Sequence, residues 1–241
     1  MAAQETILFI PGHMCDARLF APQIAALENE YRIVVADLKT GNSFEEYIAS
    51  ALESAGDRAF NLVGLSMGGM LAVQMAAQHP GRIKRLALLS TTSEPEAPHR
   101  AETRRQRIER ANAAGLETIA REELAPSYLA QAHQDRKDLI DLVVAMAAAH
   151  GLDVFAAQSA AMTARADCRD MLPGYKGPVL VLCGDEDRLF SVEKHEAIAA
   201  MLENSELVVQ AGIGHLPTVE SPQETTAALK ALLARPVRET A

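Results

Sequence analysis

The chain is short of cysteine and of positive charge, and each shortage excludes a class of function. Cys15, Cys168 and Cys183 are the three cysteines in 241 residues. They are too few and too scattered for a disulfide framework or a CxxC metal knuckle, a usage that suits a reducing compartment. Cys183 lies in an apolar run and reads as core. Lys and Arg number 23 against 32 Asp and Glu, a net charge of −9 with an isoelectric point near 5.3. Phosphate-bearing partners need a basic surface, so this balance argues against nucleic acid and anionic membranes and favours a small-molecule substrate. An apolar segment begins by Ile7 without the basic start, apolar stretch and small-residue cleavage site of a signal peptide, and no later run reads as long enough to span a membrane. The expected setting is the cytoplasm, as a monomer or homodimer. Internal repeats and low-complexity tracts are lacking. So are HExxH, clustered Cys/His, and a GxGxxG after the first strand, so neither a metal nor a dinucleotide cofactor is expected.

What is present is enough apolar sequence, 49% of the chain, for one full core. Short β-rich runs recur at Thr6–Ile10, Arg32–Ala36, Phe60–Val63, Leu86–Leu89, Val179–Cys183 and Glu206–Val209, and read as near-continuously buried parallel strands. Helical stretches around Leu19–Asn29, Phe44–Ala55, Met67–Gln78, Val192–Leu202 and Gln223–Leu233 alternate with them. Alternation of this kind predicts an α/β fold, a mostly parallel sheet of about six strands. It stops between Glu94 and Tyr175, where Ala, Arg, Glu and Leu dominate and no strand is evident. The expected organisation is therefore a core of residues 1–93 and 176–241 with a helical cap, 94–175, inserted in it.

The chemistry gathers at strand ends. Gly64-Leu65-Ser66-Met67-Gly68 joins an expected strand to an expected helix, the context in which GxSxG presents a serine on a sharp turn. The helix start favours negative charge nearby, and the Met67 amide is placed to donate to an oxyanion. A serine hydroxyl needs a base, and His215, in the glycine-bracketed Gly212-Ile-Gly-His-Leu-Pro217 after the last strand, is the candidate. The base needs a carboxylate. Gly184-Asp185-Glu186-Asp187 follows the fifth strand; Asp187 is the first choice and Asp185 the alternative. Pro11-Gly12-His13-Met14 is a glycine loop at the end of the first strand, where a second backbone donor is required.

Together these segments resemble the α/β-hydrolase superfamily, small esterase-like members with a helical cap, over nearly the whole chain. The order Ser, Asp, His is the order of that superfamily. Two departures stand out: the family's leading strands are missing, and Pro11 stands where its oxyanion loop usually has histidine. By that resemblance the His13 amide, with Met14 next, completes the oxyanion hole with Met67. Ser66 attacks a carbonyl, His215 protonates the leaving group, and water then releases the acyl group. The resemblance implies hydrolysis of an ester, lactone or thioester of a small molecule. The same three residues serve carbon–carbon bond hydrolases, and a receptor-like binding protein that kept the fold is the alternative of a different class. Dehalogenases and epoxide hydrolases of the superfamily are disfavoured, because they require an aspartate where Ser66 stands.

The cap should set substrate choice. Leu124, Tyr128, Leu129, Leu142, Val143, Met146, Phe155 and Met162 are candidates for an acyl pocket, and Met14, Leu65 and Leu216 flank the expected site residues. Substrate contact is thus expected at Met14, Leu65, Tyr128, Leu129, Met146, Phe155 and Leu216. Arg104, Arg105, Arg107 and Arg110 would suit an acidic carrier, but interleaved Glu102 and Glu109 favour a solvated helix face.

Overall fold

The computed structural model describes residues 4–237. Among them the β-rich runs form one parallel sheet of β1 (Thr6–Ile10), β2 (Arg32–Val35), β3 (Phe60–Leu65), β4 (Ile83–Leu89), β5 (Val179–Gly184) and β6 (Ser205–Gln210), in the order β2-β1-β3-β4-β5-β6. Successive side chains point to opposite faces, and the core divides accordingly. Ile7, Phe9, Val63, Leu65, Ala87, Leu89, Leu180 and Leu182 belong to one apolar cluster, with residues of α1 (Ala21–Leu27) and α10 (Pro222–Ala234). Leu8, Ile10, Leu62, Leu86, Leu88, Val179 and Val181 belong to the other, with α2 (Phe44–Ala55), α3 (Met67–Gln78) and α8 (Val192–Met201). Burial on both faces explains why the central strands read as unbroken apolar runs. β2 and β6 depart from that expectation: they are the edge strands, half-exposed along most of their length, and Val209 is open to solvent.

Local signals set the helices. In α2 the Ser43 Oγ accepts the Glu46 amide at 3.2 Å, two glutamates sit in the first turn, and Gly56, at φ 80°, ends the helix. Its buried residues Phe44, Tyr47, Ile48, Ala51 and Ala55 follow the helical repeat that faces the sheet. The expected helix from Leu19 is shorter than its apolar stretch: a 3-10 turn, Ala17–Phe20, capped by Asp16, precedes α1.

Between β4 and β5 the described residues form helices and turns only. These are α4 (Pro98–Ala114), α5 (Leu116–Ile119), a π-helical turn over Ala120–Leu124, α6 (Ala125–Tyr128), α7 (Lys137–Ala164) and 3-10 turns at Gln131–His133 and Leu172–Gly174. α7 corrects one expectation, for its 28 residues are long and apolar enough to cross a membrane by length and composition. Gly151, at φ 82° and ψ 173°, breaks it into two arms, each only about 20 Å long at 1.5 Å per residue. The arms pack inward through Leu139, Val143, Met146 and Phe155. α9 (Pro217–Glu220) precedes α10.

Strand order reverses between β1 and β3, since the chain runs from β1 outward to β2 and returns to lie on the other side of β1. A crevice opens beyond the carboxyl ends of strands at such a switch point, the place where ligands bind in open α/β sheets. The loop Pro11–Met14 and Ser66 both emerge there.

Candidate active site

Ser66 sits between the end of β3 and the start of α3 at φ 57° and ψ −115°, a conformation L-residues rarely adopt. The turn is held by its neighbours: the Ser66 amide donates to Leu89 O at 2.9 Å, and Thr91 Oγ1 donates to Ser66 O at 2.8 Å. Thr91 is itself fixed, because its amide donates to Nε2 of the buried His195 at 2.9 Å. The glycines make the crossing possible. A Cβ on Gly64 would lie 2.3 Å from Gly68 O, and one on Gly68 would lie 2.0 Å from Ile10 O. Gly69, not singled out from the sequence, is equally constrained: its Cβ would lie 2.5 Å from that of Thr91.

His215 Nε2 lies 2.8 Å from Ser66 Oγ, and His215 Nδ1 lies 2.8 Å from Asp187 Oδ2, with all three side chains buried. The arrangement requires the tautomer in which Nδ1–H donates to Asp187, which leaves Nε2 to accept from the serine. Asp187 Oδ1 accepts the amides of Leu189 and Phe190 at 2.8 and 3.1 Å. Burial pushes the Asp187 carboxyl up, but the neighbouring His215 and these two amides outweigh it and hold it below the usual aspartate range. The other two acids of the loop point elsewhere. Asp185 Oδ1 accepts the Gly212 amide at 2.7 Å, and Glu186 Oε2 accepts the Gln131 amide at 2.6 Å.

The His13 and Met67 amides make no protein hydrogen bond among the described residues, Met67 being the first residue of α3. The Met14 amide is already used, donating to Gln158 Oε1 at 2.9 Å with Met14 at φ 59°. Of the three candidate oxyanion donors, the amides of His13 and Met67 are thus unpaired among the described residues, and that of Met14 is not. The His13 imidazole is buried beside Ser159; burial, reinforced by the charge of Arg104, holds it well below the usual histidine range and keeps it neutral.

A cavity of about 140 Å³ opens on Ser66, lined by His13, Met70, Tyr128, Met162, Leu189 and Phe190 and by Arg100, Thr103, Arg104 and Arg107 of α4. Of the seven residues expected to touch substrate, Tyr128 lines this cavity. Met14, Leu65, Leu129, Met146, Phe155 and Leu216 are at most 2% exposed and belong to the apolar core cluster. The helices between β4 and β5 need apolar partners, and Leu129, Met146 and Phe155, with Leu124 and Val143, supply them, while Leu65 belongs to β3 and Met14 and Leu216 to loops of the sheet. The arginine run is also corrected. Arg105 and Arg110 face solvent, but Arg104 and Arg107 turn inward with Arg100.

Two positioning residues were invisible in the sequence. Gln158 of α7 ties the loop after β1 to the cap, its Nε2 donating to Leu38 O at 3.0 Å while its Oε1 holds Met14. Glu220 of α9 has a fully buried side chain: Oε1 accepts the Leu216 amide at 3.0 Å, and Oε2 accepts the Ala130 amide at 2.8 Å, the Gly214 amide at 3.3 Å and His133 Nδ1–H at 2.9 Å. It fastens the His215 loop to the cap. Burial pushes the Cys15 and Cys183 thiols up to about 12, so neither is a reactive group. Among the described residues no group of three or more His, Cys, Asp or Glu side chains is placed to hold a metal ion.

The model of the alpha/beta hydrolase fold family matches residues 5–222. RutD of Yersinia enterocolitica, named as a candidate carbamate hydrolase, is 24% identical over 240 residues, covering 92% of this chain and 84% of that protein. RutD of Agrobacterium fabrum is 27% identical over 245 residues, covering 92% and 90%. Among solved structures, a thermophilic esterase from Thermogutta terrifontis, with malate bound, superposes with a TM-score of 0.85 at 28% identity, covering 96% of this chain and 90% of that one. The enol-lactonase of Burkholderia xenovorans LB400 superposes with a TM-score of 0.86 at 22% identity, covering 97% and 93%, a likeness of fold. The family and these relatives support a hydrolase that acts on small molecules.

Proposed function

The chain belongs to the alpha/beta hydrolase fold family, and from that premise we propose that it is a serine hydrolase cleaving carboxylic esters, or the related lactones and thioesters, through an acyl-enzyme on Ser66. The observation that carries this reading is the relay Ser66 Oγ–His215 Nε2 and His215 Nδ1–Asp187 Oδ2, both links 2.8 Å, at the floor of a cavity. Ser66 Oγ bonds to the substrate carbonyl carbon as its proton passes to His215 Nε2, and Asp187 stabilises the imidazolium without taking the proton. The carbonyl oxygen becomes an oxyanion between the His13 and Met67 amides, donors that need no reorganisation as the charge develops. Collapse breaks the bond to the leaving group, which departs with the proton from His215. Water repeats the sequence on the acyl-enzyme, its proton passing through His215 as the acid is released and Ser66 is restored. Carbamates present the same kind of carbonyl, and the RutD relatives bring them within the same class.

The test is turnover of a ladder of p-nitrophenyl esters, lactones and a carbamate by the purified protein beside Ser66→Ala. Turnover that vanishes in the variant is the expected result. Turnover retained by Ser66→Ala would overturn the mechanism.

A further inference from the structure

We infer that the substrate carries a carboxylate of its own, taken by the arginine row of α4, so that the protein hydrolyses small acid-bearing esters in preference to neutral ones. This rests on the reading of Ser66 given above and deepens it.

Arg100, Thr103, Arg104 and Arg107 recur at the spacing that places residues on one face of a helix, and that face lines the cavity over Ser66. On a cap helix this face is ordinarily apolar. Here it is cationic, in a chain whose net charge is −9. The positive charge is only partly offset locally: Glu96 pairs with Arg100, Arg104 and Arg165, Glu123 pairs with Arg107 and Arg110, and the charge of Asp187 reaches Arg100, so three carboxylates face five guanidinium groups.

The hydrogen-bonding forks are also incompletely used. Arg104 spends its Nε on Glu96 at 3.2 Å, and Arg107 spends its Nε on Glu123 at 3.0 Å. Their Nη groups make no hydrogen bond among the described residues, although the side chains are only 15% and 23% exposed. Partly buried guanidinium groups with free donors are built to take a planar oxyanion from two directions. The cavity, about 140 Å³, is close to the size that holds a single benzene ring, so it suits a short acid better than a long acyl chain. A neighbouring cavity of about 340 Å³ shares Arg100 and Leu189 with it and adds Arg165, Arg188 and Lys194 against Glu94, a cationic approach that draws anions inward.

The experiment compares kcat/KM for matched pairs. One is p-nitrophenyl hemisuccinate against its uncharged isostere p-nitrophenyl isohexanoate. The other is p-acetoxybenzoate against p-acetoxytoluene, which puts the acid on the leaving side. At least one pair should favour the acid on the order of 30-fold, the worth of one charge-assisted pair. That ratio should fall about tenfold or more in Arg104→Gln and in Arg107→Gln, which disturb different glutamates, and should stay at the wild-type value in Arg105→Gln on the solvent face. Ratios at or below one in both pairs, or variants that slow acid and neutral esters alike, would overturn the inference and leave these arginines as cap scaffolding. Ser66→Ala separates the two claims, since turnover retained there condemns the serine reading itself. If neither pair is turned over, the labelling rates of carboxylated and neutral fluorophosphonates give the same ratio. No labelling by either would mean that Ser66 is not a live nucleophile, and the inference would fall with it.

Discussion

Replacing Glu220 with glutamine keeps its volume and removes its charge, and the structure sets the cost. The native carboxylate receives four hydrogen bonds, one at Oε1 and three at Oε2, with the side chain fully buried. A glutamine has one carbonyl oxygen. Placed at Oε2 it keeps three bonds without charge assistance, at a loss of roughly 1 kcal/mol for the best of them, and its NH2 then confronts the Leu216 N–H, a donor facing a donor, at about 1–3 kcal/mol. Glu220→Gln should therefore lose about 3 kcal/mol in urea denaturation. The bonded segment carries His215, whose own amide donates to Tyr128 O at 2.6 Å. Small displacement of the base misaligns Nε2 with Ser66, so kcat should fall on the order of 10- to 100-fold. Asp185→Asn, by contrast, alters one exposed bond to the Gly212 amide and should cost less than about 1 kcal/mol. A Glu220→Gln variant within about 1 kcal/mol of wild type and with unchanged kcat would refute the reasoning, and would mean that packing at Gly214 holds the loop without the carboxylate.

Three further outcomes follow from the same geometry. Gly68→Ala should be destabilised by about 3 kcal/mol or more, because its Cβ would meet backbone at Ile10 O and Pro11 O, whereas Gly12→Ala meets nothing closer than 3.4 Å and should melt near wild type. Gln158→Ala frees the Met14 amide and Leu38 O and should lower kcat about tenfold with a smaller change in KM, as expected when a transition-state donor loses its support. Burial pushes the Glu96 carboxyl up, yet Arg104 and Arg165 hold it below the ordinary 4.5. The unfolded chain therefore takes up that proton first as pH falls. The stabilisation is complete above about pH 4.5 and is lost as pH drops through the lower folded value, so denaturation midpoints measured from pH ~7 to ~3 should fall less steeply in Glu96→Gln.

The central strands were legible because burial on both faces leaves unbroken β-rich runs, and the elbow because GxSxG stood between a strand and a helix. The edge strands misled, since their runs are apolar enough to read as buried while their outer sides face water. The choice among Asp185, Glu186 and Asp187 rests on which way each side chain leaves a tight loop, and the three end on Gly212, Gln131 and His215 respectively. The arginine run looked solvated because Glu102 and Glu109 interleave with it, but helix register sends Glu102, Arg105 and Glu109 outward and Arg100, Arg104 and Arg107 toward Ser66. Glu220 and Gln158 act on segments more than 80 residues away, at Ala130 and Met14, and a single buried polar residue leaves no periodic trace.

The most direct test of the Ser66–His215–Asp187 relay is peptide mapping after reaction with a fluorophosphonate, on the wild type and on His215→Ala. A single adduct on Ser66, formed with complete loss of esterase turnover and strongly slowed in the variant, is the predicted result. An adduct on another residue, or turnover that survives stoichiometric labelling of Ser66, would contradict it.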